Sequence, residues 1–200
     1  MYSREFSFAE GGEGIRLSAG DYYDEGKGYG FLELAAQERT ADRFTGTGGW
    51  NPRETYCPGD GEEAGLWQDG ADGVEVKAGF PLRFRAEVPG NGSYAVTVTI
   101  RGGREGAQGL MLYTGRRNLI KRDIVIRPGE VFSCRFYVRV CEYIPVVGEG
   151  AKEDNSVYVT VLGAGKSSAR LSGLKIEEAQ APTVFIAGDL SLIHISEPTR

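Results

Sequence analysis

The fold is indicated most clearly by residues 94–100, Tyr94-Ala-Val-Thr-Val-Thr-Ile100, in which apolar and polar side chains alternate. Successive side chains of a β-strand point to opposite faces, so the large apolar residues share one face and the threonines share the other. The same alternation returns in residues 132–140, Phe132-Ser-Cys-Arg-Phe-Tyr-Val-Arg-Val140, with the arginines and Tyr137 in the outward positions. Both stretches are therefore predicted to be strands with one face on a hydrophobic core.

Further strands and turns extend this pattern along the chain. Residues 156–162 alternate with two fairly apolar faces, and residues 171–178 are predicted to form a last strand. Glycine-containing turn sequences separate the strands at residues 89–92, 101–104 and 127–130. Short strands at this spacing predict an all-β domain, a β-sandwich of the jelly-roll class. Residues 32–44 carry a weak helical pattern, and residues 145–155 are predicted to be an exposed loop.

Composition and charge limit the classes of partner. The 200-residue chain is 40% hydrophobic with 30 glycines, which favours turn-rich β structure. Its formal net charge of −5 argues against nucleic acid or an anionic membrane as the main partner, because both attract positive charge. No apolar run reaches the roughly 18 residues of a membrane-spanning helix, and the first residues lack the pattern of a signal peptide. We therefore expect a cytoplasmic protein, or a secreted one if the true start lies upstream.

Metal, cofactor and disulfide chemistry is not indicated by the residues. The cysteines Cys57, Cys134 and Cys141 are odd in number and form no CxxC or Cys/His cluster, so we expect neither a disulfide framework nor a zinc site. Four aspartates are candidates for a structural calcium site, but their spacing does not follow an EF-hand loop. They are Asp21, Asp24, Asp69 and Asp72. Ordinary turn formation is the alternative role of these carboxylates, and we expect no cofactor.

The chain changes character after residue 182. Residues 183–187, Thr-Val-Phe-Ile-Ala, form a continuous apolar run that is typical of a strand buried on both faces of a parallel sheet. The last eleven residues, LSLIHISEPTR, match codon by codon a translation of the transposase adapter used to prepare sequencing libraries. We therefore expect three parts, which are a β-sandwich accessory domain at 1–180, the start of a second domain at 181–189 and an adapter-derived artefact at 190–200.

An apolar strand that ends in Gly-Asp resembles the first signature block of the SGNH (GDSL-type) hydrolases. Residues 182–189 are similar to this block in rhamnogalacturonan acetylesterases, where the nucleophilic serine follows the aspartate directly. Residues 1–180 resemble the β-sandwich domain that precedes the catalytic domain in bacterial proteins of this kind. The matching stretches are Gly28-Tyr-Gly-Phe31, residues 84–98 and Tyr158-Val-Thr-Val161. The resemblance implies a galactose-binding-like jelly roll joined to a carbohydrate esterase that removes acetyl groups from pectic polysaccharide.

The resemblance also implies that the catalytic set of this chain is incomplete. Gly188 and Asp189 remain of the first block, but Leu190 occupies the position of the serine nucleophile. The only histidine in the sequence, His194, lies in the adapter-like part, which leaves no imidazole to act as a base. We therefore expect the chain itself to lack esterase activity.

Aromatic side chains in the first third of the chain are the candidates for stacking on a sugar ring, because ligand contacts favour loops. They are Tyr22, Tyr23, Tyr29, Trp50 and Trp67. Packing is the alternative, since large aromatic residues are mostly buried. A local basic group is a second candidate, for the carboxylates of a galacturonate-containing polymer, with a solvated face as its alternative. Its members are Arg101, Arg104, Arg116, Arg117, Lys121 and Arg122.

Three classes of function stay open. The chain is either the accessory part of an esterase that acts on pectic saccharide, or a stand-alone carbohydrate-binding domain, or a structural β-sandwich that mediates oligomerisation without enzymatic role.

Overall fold

The computed structural model describes residues 1–32, 68–77, 81–115, 118–142, 150–151, 153–163 and 168–182. Within these ranges the chain forms twelve strands and no helix. The strands are β1 (Ser3–Ser7), β2 (Ile15–Arg16), β3 (Tyr29–Phe31), β4 (Asp69–Gly70), β5 (Gly73–Val76), β6 (Pro81–Glu87), β7 (Gly92–Gly102), β8 (Ala107–Thr114), β9 (Asn118–Ile126), β10 (Val131–Val140), β11 (Ser156–Leu162) and β12 (Ala169–Ala179).

The strands form two sheets. The seven-stranded sheet has the order β10-β7-β12-β1-β2, and β5 pairs with the first part of β12 and with β4. The five-stranded sheet has the order β3-β6-β11-β8-β9. Among these pairs only β1 and β2 run parallel. The prediction of an all-β sandwich of the jelly-roll class is confirmed.

The hydrophobic core lies between the two sheets. Alternate residues of β7 point into it from the seven-stranded sheet, and alternate residues of β11 point into it from the five-stranded sheet. These side chains are at most 2% exposed, and they are Val96, Val98, Ile100, Val157, Val159 and Val161. A cluster of phenylalanine rings fills the core beside them, with Phe84 at its centre. The period-two pattern of the sequence thus specified which side chains are buried.

The predicted outer positions of β10 are also confirmed. Its exposed residues alternate with residues that pack against the core, and Tyr137 is among the exposed ones. The strand ends at Val140, so the Cys141 thiol is exposed just beyond it, while Cys134 is half-buried within the strand. Several sequence predictions concern residues outside the described ranges, namely Cys57, the helical pattern beyond residue 32, and the second domain and artefact after residue 182.

Candidate functional site

The outer face of the five-stranded sheet carries charged and aromatic side chains. Alternation along β6 points Leu82, Phe84 and Ala86 into the core, and therefore points Arg83, Arg85 and Glu87 to the other face. The neighbouring strand β11 places Tyr158 directly opposite Arg85. We call this surface the Tyr–Arg face, and its members are Tyr23, Arg83, Arg85, Glu87, Asp154 and Tyr158.

Gly30 brings Tyr23 onto this surface. Gly30 is the middle residue of β3 and pairs with Arg85. The segment before β3 crosses it, with the Tyr23 amide donating to the Phe31 carbonyl at 2.8 Å. A Cβ on Gly30 would collide with the peptide that joins Tyr22 to Tyr23, and the φ of +149° is one that side-chain-bearing residues rarely adopt. Glycine is therefore required for this segment to lie against the sheet.

Arginine and tyrosine side chains alternate across the surface. The Arg85 guanidinium lies 4.2 Å from the centroid of the Tyr23 ring and 5.7 Å from that of Tyr158. The Arg83 guanidinium lies 4.8 Å from the Tyr158 centroid. Each contact of this kind contributes about 0.5–1 kcal/mol when exposed and about 2 kcal/mol when desolvated. Arg83 is buried, so the accessible part of the surface is the end that holds Arg85.

Carboxylates balance the two guanidinium charges. The Tyr23 hydroxyl donates to Glu87, and the Tyr158 hydroxyl donates to Asp154 at 3.0 Å. Arg85 Nη2 lies 3.8 Å from Glu87 and 3.9 Å from Asp154. The surface therefore holds two positive and two negative side chains. Hydrogen-bond donors and acceptors therefore lie side by side on this surface.

Both phenols on the surface keep their protons far into the alkaline range. Burial, followed by the negative charge of Asp154, raises the pKa of Tyr158 to about 12. Burial, followed by the hydrogen bond to Glu87, raises the pKa of Tyr23 to about 12. Both hydroxyls are thus neutral donors at physiological pH and do not act as bases there. The surface is equipped for binding rather than for proton abstraction.

The raised pKa values predict an alkaline transition. Because the folded state holds these protons more tightly than an unfolded chain, their stabilising contribution is complete below pH 10.0, the ordinary pKa, and is lost as the pH rises through about 12. We expect the free energy of unfolding to fall across this window, and to fall less steeply in Tyr158→Phe. Denaturant titrations at several pH values measure this, with Tyr137→Phe at an exposed position as the control. If the free energy of unfolding changes with pH identically in wild type and Tyr158→Phe, the raised pKa of Tyr158 is contradicted.

Arg85 has donors available for a ligand. Within the described part of the chain its single hydrogen bond runs from Nε to Ser156 Oγ at 3.0 Å. The other four N–H groups of this guanidinium make no hydrogen bond within the described residues, and two of the four are on Nη2, which faces Glu87 and Asp154. Its side chain is 27% exposed. The surface therefore presents oriented donors, acceptors and ring edges to the solvent.

The predicted sugar-contact residues do not all lie together. Tyr22 is exposed and adjoins the Tyr–Arg face through Tyr23. Tyr29 packs on the core side, with its ring 5.2 Å from that of Phe6 and 5.5 Å from the Arg4 guanidinium, which favours packing over ligand contact. Trp50 and Trp67 lie outside the described residues, as do the catalytic-block positions Gly188, Asp189 and Leu190.

The predicted basic group has separate partners in the structure. Arg101 pairs with Asp72 at 3.7 Å, and Arg122 pairs with Asp123 at 3.5 Å. Lys121 lies 5.2 Å from the centroid of the Phe132 ring. Arg116 and Arg117 lie outside the described ranges. These contacts fit the alternative interpretation, a solvated face, better than a convergent binding site.

The candidate calcium ligands hold turns and neighbouring segments. Asp21 accepts hydrogen bonds from the Ser18 amide and hydroxyl, and Asp24 accepts one from the Lys27 amide. Asp69 accepts one from the Ala19 amide at 2.7 Å. No group of three or more possible metal ligands occurs among the described residues. In the same ranges, no helix is long and apolar enough to cross a bilayer.

Comparisons with known proteins concern the fold. No protein-family model and no curated protein matches the sequence. The chain is similar to protein YXIM of Bacillus subtilis, at 22% identity and a TM-score of 0.48, over 89% of this chain and 40% of that protein. A family 35 carbohydrate-binding module from Clostridium thermocellum is similar at 14% identity and a TM-score of 0.31, over 52% of this chain and 73% of the module. A β-glucuronidase from Bacteroides uniformis is similar at 11% identity and a TM-score of 0.35, over 56% of this chain and 13% of the enzyme. The chain thus spans less than half of the first of these proteins.

Sequence reasoning named Tyr23 but missed Arg85 and Tyr158. A signal for Arg85 was present, because charged residues at 83, 85 and 87 alternate with apolar ones. Such alternation shows that the charges face away from the core, but it does not show which strand lies beside them. The contact with Tyr158 depends on the pairing of β6 with β11.

Proposed function

We propose that this chain is a carbohydrate-binding β-sandwich domain and that the Tyr–Arg face binds the saccharide. The observation that carries the proposal is the Arg85 guanidinium, which lies near two tyrosine rings and two carboxylates and makes one hydrogen bond within the described residues. Arg85 and Tyr158 lie on paired strands of the sheet, and the Arg85 side chain is 27% exposed.

Sugar chemistry matches this set of groups. Each hydroxyl of a sugar both donates and accepts hydrogen bonds, and the C–H faces of the ring are apolar. Arg85 supplies donors, Glu87 and Asp154 supply acceptors, and the tyrosine rings supply apolar edges. A few fixed polar groups beside aromatic surface are the usual make-up of a small-ligand site. Because the network already holds these side chains in place, little conformational entropy is lost on binding.

We further propose that the domain accompanies an esterase that removes acetyl groups from pectic polysaccharide. The support is the sequence order, in which a β-sandwich resembling the accessory domain of such enzymes is followed by the Gly188-Asp189 block. The domain would hold the polymer near the esterase. The chain as given has Leu190 at the nucleophile position, so the esterase activity belongs to the longer protein in this proposal.

Saccharide titrations test the proposed site. We expect acetylated pectic oligosaccharides to bind in isothermal calorimetry and Arg85→Met to weaken that binding about tenfold or more, because charge-assisted hydrogen bonds are lost. The methionine keeps the apolar stem of the side chain. Arg135→Met, the same change on the outer face of the other sheet, is the matched control and should bind like wild type. Equal affinity of the Arg85→Met variant and wild type would exclude the Tyr–Arg face.

Association between copies is the second candidate function. It is favoured by exposed apolar side chains along β9 and β10, the outermost strands on one side of the described sandwich. These side chains are Leu119, Val125, Val131 and Tyr137. Exposed strand edges of this kind support pairing between chains. Sedimentation velocity over a range of protein concentrations distinguishes the two candidates, since a strictly monomeric chain removes the second.

A further inference from the structure

A polar groove lies at one end of the sandwich. It forms where β7 begins and where β10 and β12 end, because both of these strands run antiparallel to β7. Ser93 of β7 is therefore paired with Arg139 on one side and Ala179 on the other. The groove has a volume of about 500 Å³, within the range of roughly 300–1,000 Å³ that is usual for small-ligand sites.

The floor of the groove is fixed. Tyr94 is only 3% exposed, and its hydroxyl donates to the Gly90 carbonyl at 2.8 Å. The Tyr2 ring meets the Tyr94 ring edge to face, with the centroids 6.1 Å apart. The Tyr2 hydroxyl donates to the Glu87 carbonyl at 3.1 Å, which ties the seven-stranded sheet to β6. A ligand here would meet a preformed surface.

The groove is rich in available hydrogen-bond donors. Arg139 is exposed, and within the described ranges it makes neither a hydrogen bond nor an ion pair, whereas Arg135 on the same strand pairs with Glu177 at 3.6 Å. Asn91, Ser93 and Gln180 add amide and hydroxyl groups to the lining.

Glu178 is the acidic residue among those that line the groove, and one of its oxygens already accepts the Tyr2 amide at 3.1 Å. Its second oxygen is left to accept a ligand hydroxyl. An unpaired guanidinium among neutral donors suits a carboxylate, which it binds through two parallel hydrogen bonds.

We propose that this groove is a second binding site and that it takes a hydroxylated carboxylic acid of the uronic acid class. The ligand carboxylate lies against Arg139, with Ser93 and Asn91 as further donors, and a ring hydroxyl donates to Glu178. The site is independent of the Tyr–Arg face, because it is built from different strands and different side chains.

Three small probes test this site by calorimetry or NMR titration. Galacturonic acid carries both groups, galactose lacks the carboxylate, and acetate lacks the hydroxyls. We expect galacturonic acid to bind about tenfold or more tightly than either of the others, since each lacks one set of charge-assisted or neutral hydrogen bonds. Equal affinities for galactose and galacturonic acid would overturn the proposal.

Paired variants separate this site from the Tyr–Arg face. Arg139→Gln should weaken galacturonic acid binding about tenfold or more, while Arg135→Gln on the same strand should leave it unchanged. The loss in Arg139→Gln is expected in the Arg85→Met background as well as in the wild-type background, so a failure of the proposed function at the Tyr–Arg face does not affect this result. Unchanged binding in Arg139→Gln, or absence of galacturonic acid binding to wild type, would overturn the second site.

Discussion

Replacement of Phe84 by alanine is expected to lower the free energy of unfolding by about 3–5 kcal/mol, the cost of truncating a buried phenylalanine in a close-packed core. Phe84 is 1% exposed. Its ring lies 5.0 Å from Phe6, 5.4 Å from Phe8 and 5.3 Å from Phe31, measured between centroids. Because Phe6 belongs to the seven-stranded sheet and Phe31 to the five-stranded sheet, the truncation opens a cavity between the two layers.

Denaturant unfolding measures this loss, and Tyr137→Ala provides the comparison. Tyr137 is 58% exposed on the outer face of β10, so its truncation should change the free energy of unfolding by about 0.5 kcal/mol or less. A loss below about 1 kcal/mol in Phe84→Ala would show that the aromatic cluster is not the centre of the core.

Gly30→Ala is expected to cost about 2–4 kcal/mol of stability and to remove saccharide binding at the Tyr–Arg face. The added methyl group meets the Tyr22–Tyr23 peptide, and the backbone φ of +149° adds strain of its own. The clash is relieved only if the segment that contains Tyr22 and Tyr23 moves off the sheet. That movement takes the Tyr23 ring away from Arg85. The variant therefore tests stability and binding by one change.

Two other glycines supply graded controls for this substitution. A Cβ at Gly20 meets nothing within 4 Å and its φ is unexceptional, so Gly20→Ala should be neutral or slightly stabilising. Gly11 has a φ of +70° in open space, so Gly11→Ala isolates the backbone strain, about 1 kcal/mol. If Gly30→Ala lowers the free energy of unfolding no more than Gly11→Ala does, the segment that contains Tyr22 and Tyr23 moves away from the sheet at little cost and does not hold the Tyr23 ring in place.

The class of fold was predictable from the sequence, because the alternation of apolar and polar residues within a strand indicates which of its faces is buried. The alternation at residues 94–100 and 132–140 identified both the strands and their inward faces, and the residues predicted to face inward pack in or against the core. The turns at residues 89–92 and 127–130 were likewise visible from their glycine and proline content. Each of these signals depends on neighbouring residues alone.

The Tyr–Arg face was only partly predictable. Tyr23 was a candidate because it lies among aromatic residues in a loop-rich region. Asp154 fell in a segment predicted to be an exposed loop, yet its side chain is only 23% exposed and accepts the Tyr158 hydroxyl. Nothing in the local sequence around Asp154 indicates this role. The role depends on where β11 lies in the sheet.

The sequence by itself determined that residues 94–100 and 132–140 form amphipathic strands and which side of these strands is buried, because side-chain direction in a strand has a period of two. The tertiary structure alone decided that residues from β6, β11 and the segment before β3 share one surface. The order of strands in a sheet is set by packing and by backbone pairing between distant parts of the chain. Alternation within one strand does not indicate which strand lies beside it.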